Sequence, residues 1–199
     1  MSRVRIIVPH RGLPAAKTRL APVLDPEERI ALARTLLAGV LRAARRAADD
    51  VVVISPAAQL EPIAAEAGAR LVVQRGLGLN AGLDQARAEA LGDGIELLAV
   101  LHGDLPNLSP DDVLALISAV EDERGVAIAP DRRGTGTNGL ALAPPGVIGF
   151  RFGLESFAAH MGEVEAAGLT PAVVQRPGLA FDLDTPEDLA RWLELGDAA

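Results

Sequence analysis

Residues 96–112 read ELLAVLHGDLPNLSPDD, and this stretch decides the fold. Its first six residues are the most apolar strand candidate in the chain, too short for an ordinary helix. The run ends at His102-Gly103-Asp104, and Ser109-Pro110-Asp111-Asp112 then opens a helix. Serine suits the N-cap, proline the first helical position, and carboxylates the first turn. Strand, loop and capped helix make one βα unit. Short β-branched runs alternate with longer amphipathic ones in both directions from it, which predicts an α/β protein around a mostly parallel sheet.

Toward the N-terminus, residues 4–8, 51–54 and 71–73 read as strands. Asp25-Pro26-Glu27-Glu28 supplies N-cap, proline and capping-box acid for a helix running to about Ala48. Residues 57–67 read as a helix closed by Gly68, and 80–91 as another. Toward the C-terminus, 126–129, 139–143 and 172–175 read as strands, and 156–167 and 186–195 as helices. Neither a repeat nor a low-complexity linker interrupts the pattern, so one domain over residues 1–199 is expected. The connections 9–24, 131–138 and 144–153 exceed ordinary βα loops, and long loops in compact domains often carry function.

A chain of 199 residues, 49% hydrophobic, can bury one sizeable core. It contains no cysteine, which removes disulfides, thiolate zinc sites and cysteine nucleophiles. A formal net charge of -8 argues against a general nucleic-acid binder, so any anionic ligand needs a local basic site. Among 19 Lys plus Arg, Lys17 is the only lysine. The apolar stretch before Pro9 is about five residues, short of the roughly 7–15 of a signal-peptide core. No run approaches a membrane span. The expectation is a cytoplasmic monomer or homodimer with neither nucleic acid nor membrane as partner.

In open α/β sheets, ligands lie beyond the carboxyl ends of the strands, and three places there stand out. The loop VPHRGLPAAKTRL after the first strand gathers Arg11, Lys17 and Arg19, which could embrace a triphosphate or simply form a solvated basic loop. Asp104, beyond the apolar strand, suits Mg²⁺, which typically takes one or two carboxylates beside substrate phosphates; Asp also favours turns. In FDLDTPEDL, Asp182 and Asp184 point to one side of an extended chain, and two converging carboxylates need a cation. Capping by Asp184 or Thr185 accounts for one of them and leaves Asp182 unexplained. GTGTNG at 134–139 fits a dinucleotide-binding expression but precedes a strand where that fingerprint needs a helix, and no P-loop is present. Gly76-Leu77-Gly78-Leu79-Asn80, just before a helix, suits contact with a nucleobase or phosphate and equally a plain turn.

Taken in order, AKTRL (16–20), GLN (78–80), GDLP (103–106), APDRRGTGTNGL (129–140), FRFGLESFAAH (150–160) and DLDTPEDL (182–189) resemble the 2-phospho-L-lactate guanylyltransferase family of deazaflavin coenzyme F-420 biosynthesis. The likeness spans nearly the whole chain. It implies a three-layer α/β sandwich of the nucleotidyltransferase fold. It also implies that Asp104, Asp182 and Asp184 coordinate Mg²⁺, with Mn²⁺ as an alternative, and that Thr137, Gly153 and Ser156 contact a small phosphorylated acid. Lys17 and Arg19 would contact the phosphates of GTP, and Asn80 and Asn138 would help place the nucleotide. The implied reaction joins GMP from GTP to the phosphate of 2-phospho-L-lactate or phosphoenolpyruvate, with release of pyrophosphate. The competing readings are transfer to another acceptor, such as a molybdopterin or a sugar phosphate, a glycosyltransferase-like domain, or a non-catalytic nucleotide-binding module.

Overall fold

The computed structural model describes residues 3–120 and 123–196. Seven strands within them form one sheet: β1 Val4–Pro9, β2 Asp50–Ser55, β3 Arg70–Val73, β4 Leu97–Leu101, β5 Gly125–Pro130, β6 Thr137–Ala143 and β7 Ala172–Val173. Their order is β3-β2-β1-β4-β6-β5-β7. Every pairing is parallel except those of β6, which runs antiparallel to both β4 and β5. The sheet is therefore mostly parallel, and the reversed strand has a functional consequence. The amino end of β6 lies on the same edge as the carboxyl ends of its neighbours, with Gly139 opposite Leu101.

The strands are nearly continuous apolar runs because both faces are covered. Alternate residues feed opposite layers. Ile6, Val8, Val51, Val53, Ala99 and Leu101 pack on one side beneath α1 Pro26–Ala47, α2 Glu61–Glu66 and α4 Pro110–Ser118. Ile7, Ile54, Leu98, Val100, Ile128 and Leu140 pack on the other beneath α3 Leu79–Gly92 and α5 Ser156–Ala166. The result is a three-layer sandwich. In α1, apolar residues at 33, 36, 37, 40, 41 and 44 make the inward stripe, and the Asp25 and Glu28 capping box closes its first turn. Ser109 and Asp112 do the same for α4.

Some local expectations shift. The helix expected at 57–67 splits into a 3₁₀ turn, Ala58–Leu60, followed by α2, with Pro62 inside its first turn. The strand expected at 172–175 pairs over only two residues, at the sheet's edge. A short helix, α6 Pro177–Ala180, precedes the acidic segment, and α7 Pro186–Gly196 ends the described chain. The loop after β1 holds two 3₁₀ turns, Leu13–Ala15 and Thr18–Leu20. No helix among the described residues is long and apolar enough to cross a membrane.

Candidate active site

Beyond the carboxyl ends of β1 and β4 lies a cavity of about 490 Å³, lined by His10, Arg11, Lys17, Arg19, His102, Asp104 and Asp184 among others. The loop after β1 is anchored: Leu13 and Leu20 are buried, and Leu20 packs with Leu36 and Leu183. Gly12 has φ +98°, and a Cβ there would meet that of Ala57 at 2.9 Å, so the turn requires glycine. Lys17 itself is left-handed at φ 55°, and among the described residues only Glu155 shares a positive φ without being glycine. Such conformations are costly for residues with a Cβ and concentrate at functional sites. Lys17 lies in the long loop 9–24 singled out from the sequence, and Glu155 lies two residues beyond the loop 144–153.

The Lys17 side chain is only 5% exposed, which excludes a solvated basic loop at this position. Its Nζ donates to Asp104 Oδ2 at 2.8 Å, to Asp184 Oδ1 at 2.9 Å and to the carbonyl of Leu183. An ammonium has three protons, and all are engaged. Burial alone would lower the Lys17 pKa, but Asp104 and Asp184 outweigh it and hold it above the usual lysine range. Burial likewise opposes ionisation of Asp104, and Lys17 reverses the effect, so its pKa falls below the ordinary value. Arg19 is mostly exposed and reaches Asp184 only at 3.8 Å.

Leu183 turns into the core, while Asp182 and Asp184 turn away from it toward Asp104 and Lys17. The backbone N–H of Leu183 donates to the carbonyl of Asp104, which fixes the two segments together. Capping of α7 falls to Thr185, whose hydroxyl accepts from Asp188 N–H while Asp188 accepts from the N–H groups of Asp184 and Thr185. Asp184 is thereby free of a capping duty. The Asp182 pKa is raised, first by burial and then by the Asp104 charge; the Asn138 amide opposes this from 3.4 Å.

The three aspartates fit a hard cation. Asp104 Oδ1 is buried without a partner among the described residues, and Asp182 faces a like charge. No three acidic or histidine side chains among the described residues already converge as a metal cage. Mg²⁺ commonly takes only one or two protein carboxylates and is completed by phosphate oxygens and water, so it does not require such a cage.

A second, neutral cluster sits at the amino end of β6. Thr137, Ser156 and His160 are all buried. Thr137 N–H donates to Ser156 Oγ at 2.9 Å, and Thr137 Oγ1 lies 3.0 Å from His160 Nδ1. His160 Nε2 accepts the Arg151 N–H at 3.0 Å, so its proton resides on Nδ1. Both hydroxyls consequently keep their own protons to donate to an anion. Burial lowers the His160 pKa to about 4, and that of His10 also to about 4, so both rings are neutral near pH 7. Phe152 packs edge-on against His160 at 4.7 Å and leads into Gly153, whose φ of +141° favours glycine.

The two asparagines occupy unexpected places. Asn80 Nδ2 donates to the Phe152 carbonyl and its Oδ1 accepts the Phe152 N–H, both at 3.0 Å. Asn80 therefore holds the Gly153 loop, although its neighbours Gly78 and Leu79 line the cavity. Asn138 is buried and donates to the Leu179 carbonyl at 2.9 Å as well as to Asp182. Each amide is spent on protein partners. Sequence reasoning gave no role to His10, His102 or His160. For His160 a signal was readable: Ser156 and His160 are four apart at the start of a helix and share a face.

The chain matches the guanylyl transferase CofC-like family over residues 4–198. It is 44% identical over 185 residues to the phosphoenolpyruvate guanylyltransferase of Sphaerobacter thermophilus, covering 92% of this chain and 89% of that one. It is 39% identical over 187 residues to the 3-phospho-D-glycerate guanylyltransferase of Phenylobacterium zucineum, covering 89% and 84%. A solved structure from Desulfovibrio desulfuricans, assigned to the nucleotide-diphospho-sugar transferases, superposes with a TM-score of 0.82 at 22% identity, covering 98% of this chain and 88% of that one. A nucleotidyl transferase from Methanothermobacter gives 0.68 at 17% identity and 98% coverage of each chain. The structural likenesses carry the fold alone, but the match over residues 4–198 and the 44% identity carry the family: this chain is a nucleotidyltransferase and belongs to the guanylyl transferase CofC-like family.

Proposed function

We propose that the protein transfers GMP from GTP to the phosphate of phosphoenolpyruvate, releasing pyrophosphate, as a step toward coenzyme F-420. The observation that carries this reading is the pairing of a charged cluster, Lys17 with Asp104 and Asp184, and a neutral donor cluster, Thr137 with Ser156, on one edge of the sheet. The first suits a triphosphate with its metal, the second the carboxylate of a small acid. Phosphoenolpyruvate is preferred over 2-phospho-L-lactate and 3-phosphoglycerate because that acid is named for seven of the relatives.

An oxygen of the acid's phosphate attacks the α-phosphorus of GTP; the new P–O bond forms as the bond to the β-phosphate bridging oxygen breaks and pyrophosphate leaves. A phosphate monoester has a second pKa of about 6, so the nucleophile is already largely ionised near pH 7 and needs no strong base. What the enzyme must supply is alignment of two mutually repelling anions and stabilisation of charge on the leaving group. Thr137, Gly153 and Ser156 hold the acid, and Phe152 and Asn80 hold Gly153 in place. Lys17, once released from one carboxylate, and the exposed Arg19 meet the triphosphate. Asp104, Asp182 and Asp184 would hold Mg²⁺ or Mn²⁺, which would supply positive charge to offset the negative charge developing on the phosphates.

Pyrophosphate release tests the proposal with GTP, Mg²⁺ and each of the three acids in turn, and with ATP, CTP and UTP against the preferred acid. The expected result is release with GTP and phosphoenolpyruvate at the highest kcat/KM. Absence of release with every acid would discard the reading.

A further inference from the structure

His102 takes no part in either cluster, yet it stands between them. It follows β4 directly, and its backbone N–H continues the ladder by donating to the Asn138 carbonyl at 3.1 Å. Its ring lies 5.5 Å from that of Phe152, the residue that leads into the Gly153 loop, and it also lines the cavity with Lys17, Asp104 and Asp184.

The ring's Nε2 is buried and has no hydrogen-bond partner among the described residues. A buried polar atom left unpaired is rare in native proteins and calls for an explanation. Phe152 offers an aromatic face and no hydrogen bond, so the protein positions the ring without satisfying its nitrogen. Asp104 Oδ1, two residues on, is the neighbouring orphan, and that atom has a ready explanation as an oxygen ligand for a cation. Both unpaired atoms belong to residues that line the cavity. An acceptor with its carboxylate at Thr137 and Ser156 would bring its phosphate toward the cavity that His102 lines.

We propose that His102 is a further catalytic residue, which donates an Nε2–H hydrogen bond to the phosphate of the acceptor acid and so orients the attacking oxygen toward the α-phosphorus. The inference rests on the guanylyl-transfer reading for the identity of the acid, but the contact with a phosphate does not require turnover. It adds no base, since the nucleophile is already ionised; the contribution is orientation.

Three variants and one spectrum test it. His102→Ala is expected to raise KM for phosphoenolpyruvate at least tenfold while leaving GTP affinity by calorimetry unchanged. His102→Gln, whose amide N–H reaches the place of Nε2, is expected to restore most of the loss, and His102→Asn, whose shorter amide does not, is expected to restore little. A purely packing role would instead make all three variants alike and lower melting temperature in step with activity. The chain has three histidines, so two-bond ¹H–¹⁵N spectra can follow each ring, with His102 assigned from the Gln variant. With the α,β-methylene analogue of GTP bound, adding phosphoenolpyruvate is expected to shift the His102 Nε2 signal. If it does not, the proposal is overturned whether or not any acid is turned over. If it does while no acid supports pyrophosphate release, His102 stands as a phosphate contact and the guanylyl-transfer reading falls.

Discussion

The two halves of the site are held together by opposite means. On the β1 and β4 side, two carboxylates and a carbonyl surround one ammonium; Lys17 offsets Asp104 and Asp184, Arg19 reaches Asp184 at 3.8 Å, and Asp182 is left facing Asp104. On the β6 side, Thr137, Ser156, His160 and the 151–153 backbone form a neutral network in which Asn80 and His160 close the loop from two directions. On the proposed reading, the charged half would gain from an incoming cation and polyanion and would have to rearrange to receive them. The neutral half is already set and pays nothing for reorganisation at the moment of reaction. Under that reading, a site that distinguishes a nucleotide from a small acid would place adjustable charge where the charge changes and fixed dipoles where shape decides.

Breaking the charged half has the largest consequence. Asp104→Asn removes the carboxylate that faces both Lys17 and Asp182, and a loss of roughly 10³-fold in kcat is expected, with a lower melting temperature at pH 7 because Lys17 loses a buried partner. Steady-state pyrophosphate release and thermal unfolding check the two parts. Lys17→Met comes next, with a loss of about 10²-fold in kcat/KM from the missing phosphate contact. The same variant is expected to bind Mn²⁺ more tightly than wild type without nucleotide, because no ammonium then competes for Asp104 and Asp184; paramagnetic relaxation of water reads that affinity.

Asn80→Ala separates the halves. It removes two hydrogen bonds to Phe152, each worth about 1 kcal/mol, so a rise in KM for the acid of roughly tenfold is expected. GTP affinity measured by calorimetry should stay as in wild type; a fall in it with an unchanged KM for the acid would return Asn80 to the nucleotide.

The smallest effect has an opposite sign. Asp182 has a raised pKa in the folded state, so its ionisation costs stability, a cost that begins as pH rises through the ordinary value of 3.8 and is complete above the folded value. Asp182→Asn keeps an oxygen for the Asn138 amide. Its melting temperature is expected to exceed wild type by roughly 2–4 °C at pH 7 and to converge with it below pH 3.8. Activity should fall in the same variant, as expected where a destabilising group is retained for function.

The parts of this structure legible in the sequence are those governed by neighbours along the chain. Asp25 with Glu28 and Ser109 with Asp112 announce their helices three residues apart, and apolar runs announce β1, β2 and β4. The alternation of Asp182, Leu183 and Asp184 was readable, as was the place of Asp104 after a buried strand. Pairing across the sheet was not. The reversed direction of β6 puts Thr137 at the active edge from a strand's beginning, where a search of strand ends does not look, and only family resemblance pointed to it. Asn80 reads as part of a glycine loop until Phe152, far along the chain, is folded against it. The three engaged protons of Lys17 depend on a left-handed backbone that no lysine announces.

The central claim is the bond that forms. Phosphorus NMR and mass spectrometry of the products from GTP, phosphoenolpyruvate and Mg²⁺ test it most directly. The account predicts a diphosphate joining guanosine to enolpyruvate, with one pyrophosphate released for each molecule made. GDP with inorganic phosphate, or unreacted GTP, would contradict it.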